Sequence, residues 1–224
     1  GNQNLYARWT ARSFTLTLDE NYPDSSSSSP TQNPTVTFGQ EYGSLPSESF
    51  TGFTFTGWNT QQNGNGSTIT SSTIVTITGP ATVYAQWEAN PFEVAFDSNE
   101  PSNSVVSPSG TMSNQSFVYD TPENIDSNAF VITGFTFEGW NTDQIDAANG
   151  VTEYAAGAEG STISAISGTT ITLYAVWSPN TYTLNFNANT PSGASNSVVI
   201  TDPSMTVTFA GLYGTLNEAN LEGY

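Results

Sequence analysis

Apolar side chains alternate with hydroxyls along much of the chain. Phe14, Leu16 and Leu18 are separated by Thr15 and Thr17, and the pattern returns at Phe92, Val94 and Phe96 and at Tyr182, Leu184 and Phe186. A period of two sends successive side chains to opposite faces, so each segment predicts a strand with one buried face. Val83, Ala85 and Trp87 share one face of a second kind of segment, with Tyr84 and Gln86 on the other, and Leu173, Ala175 and Trp177 repeat it. Val36 with Phe38, and Val207 with Phe209, predict a further strand between outward threonines, while Phe53 and Phe55 predict a fourth. Ser44 to Phe50 is expected to turn once or twice as helix, and the SNSVV segments at Ser102 to Val106 and Ser195 to Val199 are expected as an extra edge strand.

Parity raises one question. Phe53, Phe55 and Gly57 fall on one face, which excludes Trp58 from it unless Gly57 introduces a bulge. The closing Trp87 and Trp177 read as core. Turns are marked as clearly as strands. Asp19-Glu20-Asn21, Asp97-Ser98-Asn99 and Asn187-Ala188-Asn189 each follow a first strand and are followed at the second residue by Pro23, Pro101 or Pro191. An Asx side chain bonds its own backbone two residues on, and proline cannot continue a strand, so each is read as an Asx turn. Asn63-Gly64, Asn65-Gly66 and Asn149-Gly150 mark others.

These elements are copies of one another. Thr51 to Thr60 and Thr133 to Thr142 are the same decapeptide except for Thr56 against Glu138. LYARW at Leu5 to Trp9 recurs as VYAQW at Val83 to Trp87 and LYAVW at Leu173 to Trp177, at the same offsets as FTLTLDEN, FEVAFDSN and YTLNFNAN. The expected organisation is therefore a closing strand of a preceding repeat over residues 1–12, complete repeats over 13–90 and 91–180, and the first half of a third over 181–224. The order of a first strand ending in FDSN, a GxTFxGW segment and a closing LYAxW resembles the Listeria-Bacteroides repeat, the B-repeat type of internalin B and of many large bacterial surface proteins. That resemblance implies a β-grasp-like module in extracellular, multi-repeat proteins with spacer or adhesive roles. The expected fold class is mainly β (α+β): tandem β-grasp-like repeats, each of four to five strands with at most a short helix.

Composition narrows the chemistry. Two basic residues against twenty acidic ones give a net charge of −18, with no histidine, no cysteine and, since both cations are arginines, no lysine. Imidazole, thiolate and amine mechanisms are excluded, as is a Lys-Asn isopeptide crosslink. Nucleic acid and anionic lipid would be repelled, and no apolar run is long enough for direct membrane insertion. No enzyme activity and no cofactor are expected. Calcium is the one metal for which candidate ligands exist, at Asp19, Glu20, Asp97 and Glu100, although the third copy of the turn, Asn187-Ala188-Asn189, offers no carboxylate. The outward tyrosines Tyr6, Tyr84 and Tyr174, with Arg8, form the candidate contact surface. Expected partners are neighbouring repeats or copies of the same chain, including strand donation by residues 1–12 to a trailing half-unit, or else a glycan or a host or cell-surface protein. The functional expectation is an extracellular stalk, spacer or filament segment, with a glycan- or protein-binding adhesive module as the alternative.

Overall fold

A computed structural model describes residues 3–25, 33–190, 192, 200, 202–214 and 216. Its strands are β1 Ser13–Asp19, β2 Thr35–Thr37, β3 Phe53–Asn59, β4 Thr68–Ile69, β5 Ala81–Ala89, β6 Pro91–Asp97, β7 Gln115–Val118, β8 Phe135–Asn141, β9 Thr170–Pro179, β10 Thr181–Asn185 and β11 Ser204–Thr208, with one helix, α1 Gln144–Ala148, between β8 and β9. The chain divides into two compact units: residues 1–92 with 118–121 and 161–169, and residues 93–117, 122–160 and 170–224.

In the first unit the sheet order is β2-β1-β5-β3-β4. β1 pairs antiparallel with β2 and parallel with β5, and β3 runs antiparallel to β5. A first and a last strand lying side by side and parallel at the sheet centre are the β-grasp arrangement. Leu16, Leu18, Val36, Trp58, Ile69, Val75, Val83 and Ala85 form the buried core. Trp87 packs against that core half-buried, as its parity predicts.

Gly57 answers the parity question. The β3–β5 register runs Phe55↔Trp87 and then Gly57↔Gln86, leaving Thr56 unpaired, and Gly57 takes φ 133°. This is a bulge at the residue able to adopt that backbone. It turns Trp58 onto the face of Phe55, where the rings meet edge-on at 5.5 Å and Trp58 is 2% exposed. β8 repeats the device: Phe137↔Trp177 is followed by Gly139↔Val176, Gly139 has φ 145°, and Trp140 is fully buried.

Three expected elements are absent among the described residues. Ser44 to Phe50 is not helical. Gly39 and Gly43 both have positive φ, and Pro46 lacks the amide proton a helix would use. The chain just ahead instead forms hydrogen bonds with residues 71–75, Tyr42 N–H to Thr73 and Gly43 N–H to Ser71 among them. Ser102 to Val106 is not a strand, and Ser195 to Val199 lies outside the described residues. Residues 3–12, expected as a closing strand, likewise form no strand, with Leu5 98% and Trp9 92% exposed. The counterparts Val83 to Trp87 and Leu173 to Trp177 are held by first and GW strands that precede them in sequence.

In the second unit β6 is parallel to β9, β8 is antiparallel to it, and the sheet order is β7-β6-β9-β8. Trp140 also bridges to Tyr154, the place that β4 takes beside Trp58. β10 and β11 form a two-stranded sheet with Tyr182 opposite Val207 and Leu184 opposite Met205. Asp143 caps α1, its carboxylate accepting from the amides of Ile145 and Asp146.

Candidate functional site at the repeat ends

Two recurring constellations sit at opposite ends of the first strands. One is built on the Asx turn. Asp19 Oδ1 accepts the Asn21 amide at 2.9 Å, and Asp97 Oδ1 that of Asn99 at 2.7 Å. Asn187 and Asn189 repeat the bond at 2.9 Å, and all three second asparagines have φ between 42° and 45°. Asparagine tolerates that left-handed conformation, and here its side chain is also used. Asn21 Nδ2 donates to Ala85 O and Asn99 Nδ2 to Ala175 O, each at 2.9 Å. The closing tryptophans complete the clasp, Trp87 Nε1 donating to Glu20 O and Trp177 Nε1 to Ser98 O, both at 2.8 Å. The end of each first strand is thus tied to its closing strand.

This places the candidate calcium ligands. The Asp19 and Asp97 carboxylates hold turns, Glu20 is 5% exposed and accepts from the Tyr22 hydroxyl, and Glu100 is exposed. Among the described residues no three acidic side chains gather where a cation could sit. Tyr6 and Arg8 lie in the exposed segment 3–12. Tyr84 is half-buried and lines a shallow groove with Thr60, Gln61, Gln62 and Asn63; Tyr174 is half-buried in the second unit. The four contact candidates therefore do not form one surface within the first unit or within the second.

The other constellation was not expected from the sequence. A single residue, Asn90, separates β5 from β6. Its amide donates to Gly52 O at 2.9 Å, its carbonyl accepts the Tyr119 amide at 2.9 Å, its Oδ1 accepts the Thr54 hydroxyl at 2.6 Å, and its Nδ2 donates to Ala165 O at 2.7 Å. The Tyr119 ring lies directly on Gly52 and meets Phe53 edge-on at 5.7 Å. Three of those bonds recur at Asn180, which separates β9 from β10: its amide to Gly134 O at 2.8 Å, the Phe209 amide to its carbonyl at 2.8 Å, and the Thr136 hydroxyl to its Oδ1 at 2.6 Å. The Phe209 ring lies on Gly134 and meets Phe135 edge-on at 5.6 Å. Gly52 and Gly134 have φ of 80° and 84°, and the space a β-carbon would need is filled by the ring. Each latch therefore requires glycine on two counts, backbone and contact.

A third copy is incomplete. Arg12 occupies the position of Asn90 and Asn180, its carbonyl accepts the Phe38 amide at 2.9 Å, and Phe38 stands where Tyr119 and Phe209 stand. The three aromatics open equivalent turns, in which Gly39, Asp120 and Ala210 all have positive φ and Gln40, Thr121 and Gly211 donate back to Thr37, Val118 and Thr208. Phe38 is 47% exposed rather than packed beside Val36.

A repeated sheet whose first and last strands are parallel neighbours, closed by one Asx clasp and joined through a one-residue latch, defines a tandem β-repeat module. The Listeria-Bacteroides repeat domain matches residues 14–86 and 92–176, and the chain belongs to that family. It is 32% identical over 145 residues, 62% of its length, to a protein of Evansella cellulosilytica named as a Gly-rich membrane protein. The chain spans 15% of the length of that relative. No solved structure matches it. No helix among the described residues is long and apolar enough to cross a membrane, which leaves membrane crossing by strands unaddressed.

Proposed function

We propose that the chain is a non-enzymatic spacer, a stalk or filament segment of a large extracellular bacterial surface protein. The observation that carries this reading is the place of the first and last strands. β1 and β5 are hydrogen-bonded parallel neighbours, with Leu16 to Asp19 against Ala81 to Tyr84, and β6 and β9 repeat this with Glu93 to Asp97 against Thr170 to Tyr174. Tension entering at the start of β1 and leaving at the end of β5 acts along the ladder and loads its hydrogen bonds together, instead of opening them one at a time. The Asx clasp bridges the same two strands. Family membership and the membrane description of the Evansella relative support a cell-surface setting. The absence of lysine removes the Lys-Asn crosslink as a source of tensile strength.

Single-molecule stretching of the chain from its two ends tests this. Two separate high-force events are expected, one for each complete repeat, and a smooth extension at low force would overturn the reading. The adhesive alternative rests on the groove beside Tyr84, whose lining of amides and hydroxyls suits a neutral glycan. Glycan-array binding abolished by Tyr84→Ala would establish it, and an array without signal would remove it.

A further inference from the structure

The groove beside Phe38 in the first repeat has a shape that the latches at Asn90 and Asn180 explain. Trp9, Arg12, Phe14, Phe38 and Thr78 border a largely apolar groove. The residues of the second repeat that cluster with the first compact unit are 118–121 and 161–169. Repeat alignment makes Thr37 to Gln40 the counterpart of the former and places Thr78 opposite Gly168 in the latter. Phe38 is therefore the equivalent of Tyr119, the ring that lies on the Gly52 turn one repeat later. Phe209, another equivalent of Phe38, is covered by the Gly134 turn.

We propose that this groove is the receiving half of the same latch and takes the Thr-Gly-Phe-Thr turn of another repeat of this type. The inference deepens the spacer reading and rests on it. The main-chain part of the seat is in place, since Phe38 N–H already bonds Arg12 O. An apolar ring faces the incoming glycine, as Tyr119 and Phe209 do. What differs is the seat's side chain. Arg12 has no oxygen to accept the hydroxyl that Thr54 gives Asn90 and Thr136 gives Asn180, and its guanidinium instead lies 5.5 Å from the Phe14 ring centre. The first seat therefore holds a turn by ring-on-glycine contact and main chain alone, and it is the weakest of the three.

The full chain extended by one repeat tests this. A second copy of residues 13–89 replaces residues 1–11 ahead of Arg12, and urea unfolding reads the stability of the extended chain. Gly52→Ala in the added copy is expected to raise the unfolding equilibrium constant about tenfold more than Gly43→Ala in the same copy, whose would-be β-carbon meets open space. Phe38→Ala in the original first repeat should remove most of that difference. A parallel extended chain carries Arg12→Asn. Coupling between Gly52 and Phe38 only with asparagine at the seat would overturn the claim that the Arg12 groove takes the turn, and no coupling in either chain would overturn it altogether. Stretching of the unextended chain is unaffected by either result, so the spacer reading stands or falls separately.

Discussion

Replacing Gly52 with alanine probes the latch directly, because two independent penalties meet at one β-carbon. The backbone at φ 80° costs an L-residue about 1–2 kcal/mol. The new methyl also enters the space of the Tyr119 ring, and overpacking of that kind typically costs about 1–3 kcal/mol. Reduced freedom of the unfolded chain returns about 0.4–1 kcal/mol. Gly52→Ala should therefore destabilise by roughly 1–4.6 kcal/mol. Gly43 provides the comparison, since its φ is 74° but open space surrounds its would-be β-carbon. Gly43→Ala meets only the backbone penalty and the entropic return, a net of about 0–1.6 kcal/mol. Urea unfolding followed by circular dichroism measures both, and Tyr119→Ala completes a double-mutant cycle. The ring's removal should relieve Gly52→Ala by the packing share, about 1–3 kcal/mol. Gly52→Ala no more harmful than Gly43→Ala, or additive with Tyr119→Ala, would refute the latch. Gly134 and Phe209 offer the same cycle a second time.

Three further outcomes follow from the geometry. Trp58 Nε1 donates to Pro46 O at 2.9 Å, whereas the buried Trp140 Nε1 has no hydrogen-bond partner. Trp58→Phe should therefore cost about 1 kcal/mol more than Trp140→Phe in the same unfolding assay. Asn21→Ala should destabilise more than Asn21→Gly, because glycine loses the bond to Ala85 O but keeps the φ of 45°, and calorimetry of the two variants separates those contributions. Burial, reinforced by the Glu20 carboxylate, holds the Glu48 carboxyl above its ordinary range. The folded state then binds that proton more tightly than the unfolded chain, so the associated stability is present below the ordinary carboxylate range and lost as pH rises through the folded-state value. Glu48→Gln should accordingly melt higher than the parent at pH 7 and lose that advantage by about pH 4.

The strands were legible because their alternation is a local property, and the Asx turns because their chemistry lies within three residues. The bulge was legible as a parity conflict at Gly57, one that only a bulge could resolve in favour of a buried Trp58. The latch was not legible. Phe38 and Phe209 continue the alternation of Val36 and Val207, and nothing in that period separates a ring packed under the sheet from one that leaves it at a turn. What distinguishes them is the positive φ of Gly39, Asp120 and Ala210, and three different residue types there leave no shared motif. The signal that could have revealed it is the pairing of two invariances: the glycine of TGFT and an aromatic at one fixed place in every unit. The helix expected over Ser44 to Phe50 failed for a related reason, since local composition could not show that residues 71–75 would take up the neighbouring backbone hydrogen bonds.

The one-residue joint and the shared decapeptide together bear on how such a chain can change length. Thr51 to Thr60 and Thr133 to Thr142 carry the latch glycine, the bulge glycine and the buried tryptophan in one block. A genetic exchange with its breakpoint anywhere inside that block joins the front of one unit to the back of another without shifting strand register or breaking the bulge. Repeats can then be gained or lost as whole units while the loops between strands diverge freely, as the different insertions after Asn59 and Asn141 already have.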